Sequence, residues 1–107
     1  MDWEIEFYGK VDEELAAMPP KIQARMIRLM ELMEKHGANL GEPHTKPLGG
    51  DLFEIRAKAK EGIGRGIFCY MHGQRIIILH VFVKKDQKIP KKDLTLARER
   101  LKEVRTS

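Results

Sequence analysis

The sequence predicts an α+β domain: an N-terminal strand and two helices, a three-stranded antiparallel meander, and a C-terminal helix. Three patterns carry this reading. Trp3, Ile5 and Phe7 alternate with Asp2, Glu4 and Glu6, the two-residue period of a strand with one buried face. Ile22, Met26, Leu29, Met30 and Met33 recur at helical spacing between Pro20 and His36. From Asp51 to Val83, three strand-like stretches follow one another through short connectors.

The first strand is expected over residues 2–8. Lys10 to Met18 then carries Val11, Leu15 and Met18 at four- and three-residue spacing, a short helix that must end before Pro19 and Pro20. Pro20 suits the first turn of the long helix, and Gly37 is placed to stop it in a left-handed conformation. Residues 37–50, GANLGEPHTKPLGG, hold four glycines and two prolines, which predicts a surface loop. In Asp51–Lys58, Phe53, Ile55 and Ala57 share one face and Glu54, Arg56 and Lys58 the other. The connector AKEG returns the chain into Ile63–Met71, and a turn at Met71–Gln74 leads to Arg75–Val83. That last run is apolar without alternation, as in a strand covered on both faces. After Pro90, Leu94, Ala97, Leu101 and Val104 form a narrow stripe, with Lys92, Arg98, Arg100, Lys102 and Arg105 off it. The expected packing sets the helices against one face of the sheet and leaves the opposite face as the natural site.

A chain of 107 residues has room for one core, so residues 1–107 are read as a single domain with no separate cofactor domain. Its 34% charged and 42% hydrophobic residues place it among globular rather than disordered chains. The apolar runs are too short to cross a bilayer, and an acidic N-terminus is unlike a secretory signal, so a cytoplasmic protein away from membranes is expected. Cys69 is the single cysteine, which excludes an internal disulfide, and its strand-like setting assigns it to the core. The net charge of +4 is unevenly spread. Residues 1–14 carry six acids against Lys10, whereas residues 84–107 carry nine bases against four acids. A basic end of this kind fits a polyanion: RNA, DNA or an acidic protein segment.

Most reaction classes lack their residues. His36, His44, His72 and His80 have no close pairing, which argues against metal. Gly62, Gly64 and Gly66 alternate and no Lys-Ser/Thr follows, so they read as a bulge or close backbone approach rather than a phosphate loop, and no nucleotide cofactor is expected. The only serine is the terminal Ser107, so a serine nucleophile is absent. What remains is a set of cations on strands, Arg56, Arg65, Lys84 and Lys85, with His80, Tyr70 and Gln87 near them in sequence. Guanidinium forks and ammonium charges stabilise a phosphorane-like transition state without metal. The matching chemistry is RNA transesterification, in which the ribose 2′-hydroxyl is the nucleophile. Candidates to move the proton are His80, Tyr70 or a lysine of lowered pKa. Each has a structural alternative: Arg56 as the salt-bridge partner of Glu54, His80 as a core histidine within ILHVF, and the last helix's basic face as a solvated one.

The succession LFEIR at 52–56, GRGIFCY at 64–70, IIILHVFVKKDQKIP at 76–90 and then LTLARERLKE resembles the RelE/HigB superfamily of type II toxin–antitoxin toxins. The F-x-K-K-x-x-x-x-P ending of the last strand is similar to that of the phage-derived HigB-like branch, and the resemblance spans residues 45–104. It implies a RelE-like fold and a ribosome-dependent mRNA endonuclease that needs no cofactor and is neutralised by a cognate helix-turn-helix antitoxin. On that resemblance Arg56, Arg65, Lys84 and Lys85 correspond to basic positions that bind and cleave RNA; His80 joins them as a catalytic candidate from the reading of the residues, and Lys58, Lys88, Lys91 and Lys92 are the RNA-binding candidates. Two positions depart from the family pattern, Asp86 and Ile89, where threonine is common. A carboxylate beside the paired lysines either orients Lys85 or weakens the hold on RNA. Gyrase-inhibiting toxins of the ParE type share this fold without RNA chemistry, and a non-toxic phage accessory RNA-binding protein is the third reading.

Overall fold

The computed structural model describes residues 2–85 and 88–106. The element order is β1 (Glu4–Phe7), α1 (Val11–Ala16), α2 (Pro20–His36), β2 (Thr45–Gly49), β3 (Leu52–Ala59), β4 (Gly62–Met71), β5 (Arg75–Lys84) and α3 (Lys91–Thr106). One sheet holds all five strands in the order β1-β5-β4-β3-β2, with β1 parallel to β5 and the other neighbours antiparallel. The expected α+β class and the β3-β4-β5 meander are therefore present, and the long helix has the predicted bounds.

Two expectations about the sheet and its layers are corrected. The surface loop of residues 37–50 contains β2, which pairs with β3 although Pro47 lies within it. Proline is tolerated there because β2 is the edge strand, and the N–H that proline lacks is not needed by a further neighbour. The second correction is that helices cover both faces. On one side α1 and α2 bury Val11, Leu15, Ile22, Met26 and Met33 against Ile55, Ala57, Phe68, Ile76 and Ile78. On the other, α3 buries Ala97 and Leu101 against Leu52, Ile67, Cys69, Ile77 and Leu79. Strands β4 and β5 are apolar on both faces, and a single helical layer would have left half of that surface in water.

The glycines of β4 let the first layer close. A Cβ on Gly64 would lie 2.4 Å from Ile22 Cγ2, and one on Gly66 would lie 2.7 Å from Ile55 Cγ2. Close backbone approach is thus the reason for these residues, as the alternation suggested. A bulge accompanies it: the register between β4 and β5 shifts at Ile67/Phe68, so that Leu79 and His80 both face α3. Gly37 ends α2 with φ +99° and ψ 163°, a positive-φ extended conformation rather than the left-handed helical one expected. Trp3 packs beside it, and the Trp3 N–H donates to the Glu34 carbonyl at 2.7 Å.

Candidate nucleic-acid interface

Strand register sets the geometry of the candidate site. Residues alternate across a sheet, so the face toward α3 presents Glu54, Arg56 and Lys58 from β3, Ile63, Arg65 and Ile67 from β4, and His80, Phe82 and Lys84 from β5. These fall into rows that cross the sheet. Lys58, Ile63 and Lys84 make the outermost row, Arg56, Arg65 and Phe82 the next, and Glu54, Ile67 and His80 the third. With neighbouring strands ~4.8 Å apart, Lys58 and Lys84 stand about 10 Å from each other at their Cα atoms. Lys58 is exposed, Arg56 and Lys84 are half-buried, and Lys85 is exposed just beyond the end of β5.

Helix α3 completes this end of the sheet. His80 Nε2 lies 2.6 Å from Asp93 Oδ1, both residues are buried, and the His80 ring stacks on Phe82 at 5.2 Å. Asp93 is in the first turn of α3, so the contact places the helix N-terminus, with exposed Lys91 and Lys92, beside the third row. The other end of α3 is tied elsewhere: Tyr8 donates to Glu103, Arg100 lies over the Tyr8 ring, and Arg105 Nη2 is 2.6 Å from Asp51 Oδ2. The basic rows and the positive end of the helix dipole therefore share one end of the molecule. Lys88 is exposed in the segment that joins β5 to α3. Asp86 and Gln87 lie outside the described residues.

The sequence-predicted residues divide into two groups. Arg56, Lys58, Lys84, Lys85, Lys88, Lys91 and Lys92 reach the surface at or beside this end. Arg65 and His80 do not. Arg65 has no exposed surface, and its Nη1 donates to Glu54 Oε2 at 2.7 Å, with Glu54 also fully buried. Arg65, expected among the exposed cations, is held in an interior ion pair instead. Arg56 approaches the same carboxylate, its Nε 3.8 Å from Glu54 Oε1. The alternative of an Arg56–Glu54 pair is thus realised, within one strand rather than across two. His80 is likewise held inside, with Asp93 on Nε2 and its Nδ1 buried.

Tyr70 belongs to the opposite face. It stacks on Phe53 with ring centroids 4.5 Å apart and packs in the α1/α2 layer, where burial pushes its hydroxyl above the usual range. Neither property suits a base acting among the lysines. Burial also pushes the Cys69 thiol up, which agrees with its assignment to the core. Among the described residues no group of three His, Cys, Asp or Glu is gathered to hold a metal ion. No helix is long and apolar enough to cross a membrane.

Sequence reasoning missed Asp93, Arg25 and Arg28. Asp93 carries no signal of its own, being one acid in a charged helix start whose partner lies on another element. Arg25 and Arg28 sit off the apolar stripe of α2, where arginine reads as solvated. In three dimensions they line a cavity together with Arg56 and Lys58.

A family model described as phage derived protein Gp49-like (DUF891) matches residues 13–102. The chain belongs to this Gp49-like family. No curated protein matches it. Among solved structures, this Gp49-like chain is similar to an Escherichia coli RelE toxin mutant in the free state, with 11% identity and a TM-score of 0.67 over 94% of this chain and 99% of that one. It is similar to a chain of the Pyrococcus horikoshii OT3 RelE–RelB complex, with 19% identity and a TM-score of 0.59 over 82% and 100% of the two chains. It is also similar to a chain of the Mycobacterium tuberculosis toxin–antitoxin complex RelBE2, with 17% identity and a TM-score of 0.58 over 78% and 100%. The phage-derived branch expected from the end of the last strand is thus met by the family match, and the expected RelE-like fold by the solved structures.

Proposed function

We propose that this Gp49-like protein is the toxin of a type II toxin–antitoxin module and that it cleaves mRNA on the ribosome. One observation carries the reading: on a RelE-like fold the two outer rows of the sheet hold Lys58, Lys84 and Arg56, and the His80–Asp93 contact sets the start of α3, with exposed Lys91 and Lys92, beside the next row. Cations fixed at the end of a packed sheet lose little on binding a phosphodiester, because the core has already set their direction. In the proposed reaction the ribose 2′-hydroxyl gives up its proton and attacks the adjacent phosphorus, the P–O5′ bond breaks, the departing 5′-oxygen takes up a proton to become a hydroxyl, and the 2′,3′-cyclic phosphate so formed is released or opened by water to a 3′-phosphate. Charge on the phosphorane oxygens is met by Lys84, Lys85 and Arg56, while Lys58, Lys88, Lys91 and Lys92 hold the flanking strand. No metal or cofactor takes part. Arg65 acts behind this group through Glu54, the carboxylate it shares with Arg56, and His80 acts through Asp93 as a positioning residue for the start of α3. A cytoplasmic setting and a cognate helix-turn-helix antitoxin belong to the same proposal.

The test is primer-extension mapping of an mRNA in a purified translation system, with wild-type protein and with Lys84→Ala, each with and without ribosomes. Cuts that need ribosomes are expected from the wild type. Lys84→Ala should reduce the rate about 100-fold, the scale of losing one charge-stabilising donor. An intact message with wild-type protein would overturn the nuclease reading, and gyrase supercoiling would then be assayed.

A further inference from the structure

Strand β3 outruns its edge partner. β2 pairs with it from Leu52 to Ile55, the Arg56 N–H donates to the His44 carbonyl at 2.9 Å, and beyond that point no strand among the described residues pairs with the β2 side of β3. Peptide groups of alternate residues point to the same strand edge, so the Lys58 peptide faces the way Arg56 does. A cavity of 560 Å³ lies against this open edge. Arg25 and Arg28 of α2, Arg56 and Lys58 of β3 and His44 line it, and among the described residues no carboxylate does. Its apolar surface comes from Leu29, Pro43 and Ile63.

We infer that this cavity binds one nucleotide of single-stranded RNA, the phosphate among the four cations and the base against Leu29, Pro43 and Ile63. Arg56 is already met in part by Glu54, but Arg25, Arg28 and Lys58 bring three more positive charges to the same cavity, and their mutual repulsion is relieved when an anion enters. The contact of Arg28 with Glu31 does not compete, because it is 3.9 Å long with both side chains more than half exposed. An apolar wall beside the cations selects an anion that carries a flat, poorly hydrated body over a bare phosphate, and the volume is in the range of small-ligand sites. An acidic peptide fits less well. Adding a strand to β3 needs a row of open peptide groups, whereas the Arg56 N–H is already used by His44 and only Lys58 remains on that edge before β3 ends at Ala59. The proposal rests on the nuclease reading for RNA as the source of the nucleotide. It extends that site from the sheet face, through the shared Arg56 and Lys58, around the β3 edge to α2.

The test is a ribosome-free NMR titration of the full chain with adenosine 5′-monophosphate, inorganic phosphate and a glutamate-rich peptide. The monophosphate should shift the amide signals of Arg25, Leu29, His44 and Ile63 and bind at least about tenfold more tightly than phosphate, since only it can use the apolar wall. Arg25→Gln/Arg28→Gln, two exposed changes on a helix, should keep the wild-type spectrum elsewhere and weaken that binding about tenfold. Equal affinity for phosphate, an absence of shifts at these residues, or preference for the peptide would overturn the assignment. Nucleotide binding here with an uncut message would sink the nuclease reading alone, and Lys84-dependent cutting with no nucleotide bound here would sink the pocket alone.

Discussion

Glu54 is the residue on which the cations of β3 and β4 converge. It is fully buried, accepts from Arg65 at 2.7 Å, and has Arg56 3.8 Å away on its other oxygen. Two charges withdrawn from water in this way contribute little net stability, but removing one of them strands the other. Glu54→Ala is therefore expected to destabilise the fold by about 3–5 kcal/mol in urea denaturation, whereas Glu54→Leu/Arg65→Met should return it to near wild type. A small cost for the single change would mean that Arg65 reaches water. The strand pattern disclosed that Glu54 and Arg56 share a face. It did not disclose that Arg65, flanked by glycines, points into the protein, because a charged residue in an apolar strand is compatible with either an exposed site or a buried pair.

At the scale of elements, the decisive join is between the β5 bulge and the start of α3. The bulge turns both Leu79 and His80 toward the helix, so Leu79 enters the apolar layer and His80 meets Asp93. Asp93→Ala should leave the sheet intact and loosen the first turn of α3. The amides of Leu94 to Ala97 are then expected to exchange with solvent about tenfold faster, with β4 unchanged, as hydrogen exchange with mass spectrometry or NMR would show. Equal exchange in both proteins would deny the pair its anchoring role. The strands and helices themselves were legible because each repeats apolar residues at its own period. β2 was not, since an edge strand of five residues with a proline and a terminal glycine has the composition of a loop, and only pairing with β3 makes it a strand.

Across the whole molecule, the acidic beginning of the chain is used in part for folding. Glu6 on β1 accepts from Arg75 at the start of β5, with Arg75 Nη2 2.8 Å from Glu6 Oε1, which ties the parallel edge strand to the meander. The hydrogen bond from Arg75 holds the Glu6 carboxyl below its ordinary value of 4.5. A carboxyl whose pKa is lower in the folded state stabilises the fold above its unfolded pKa, and that contribution fades as pH falls through the folded one. Stability is thus expected to drop as the solution is taken below about pH 4.5, and Glu6→Gln should flatten part of that acid limb in urea titrations. Both side chains are more than a third exposed, so the effect is small and shrinks further in salt. An acid limb of the same slope in Glu6→Gln would show that the pair plays no part.

The sequence by itself determined the order and type of most elements, the meander, the assignment of Cys69 to the core and the concentration of cations where β5 ends. Those features are local: a strand or helix shows its period, and Lys84 and Lys85 are neighbours in the chain. The tertiary structure alone decided which cations face water. Arg65 is turned inward by pairing with Glu54 from another strand, His80 is claimed by an aspartate thirteen positions away on α3, and Arg25 and Arg28 join Arg56 and Lys58 only because α2 crosses the open edge of β3. Whether a charge is buried depends on what covers it, and in this chain the cover comes from residues distant in sequence.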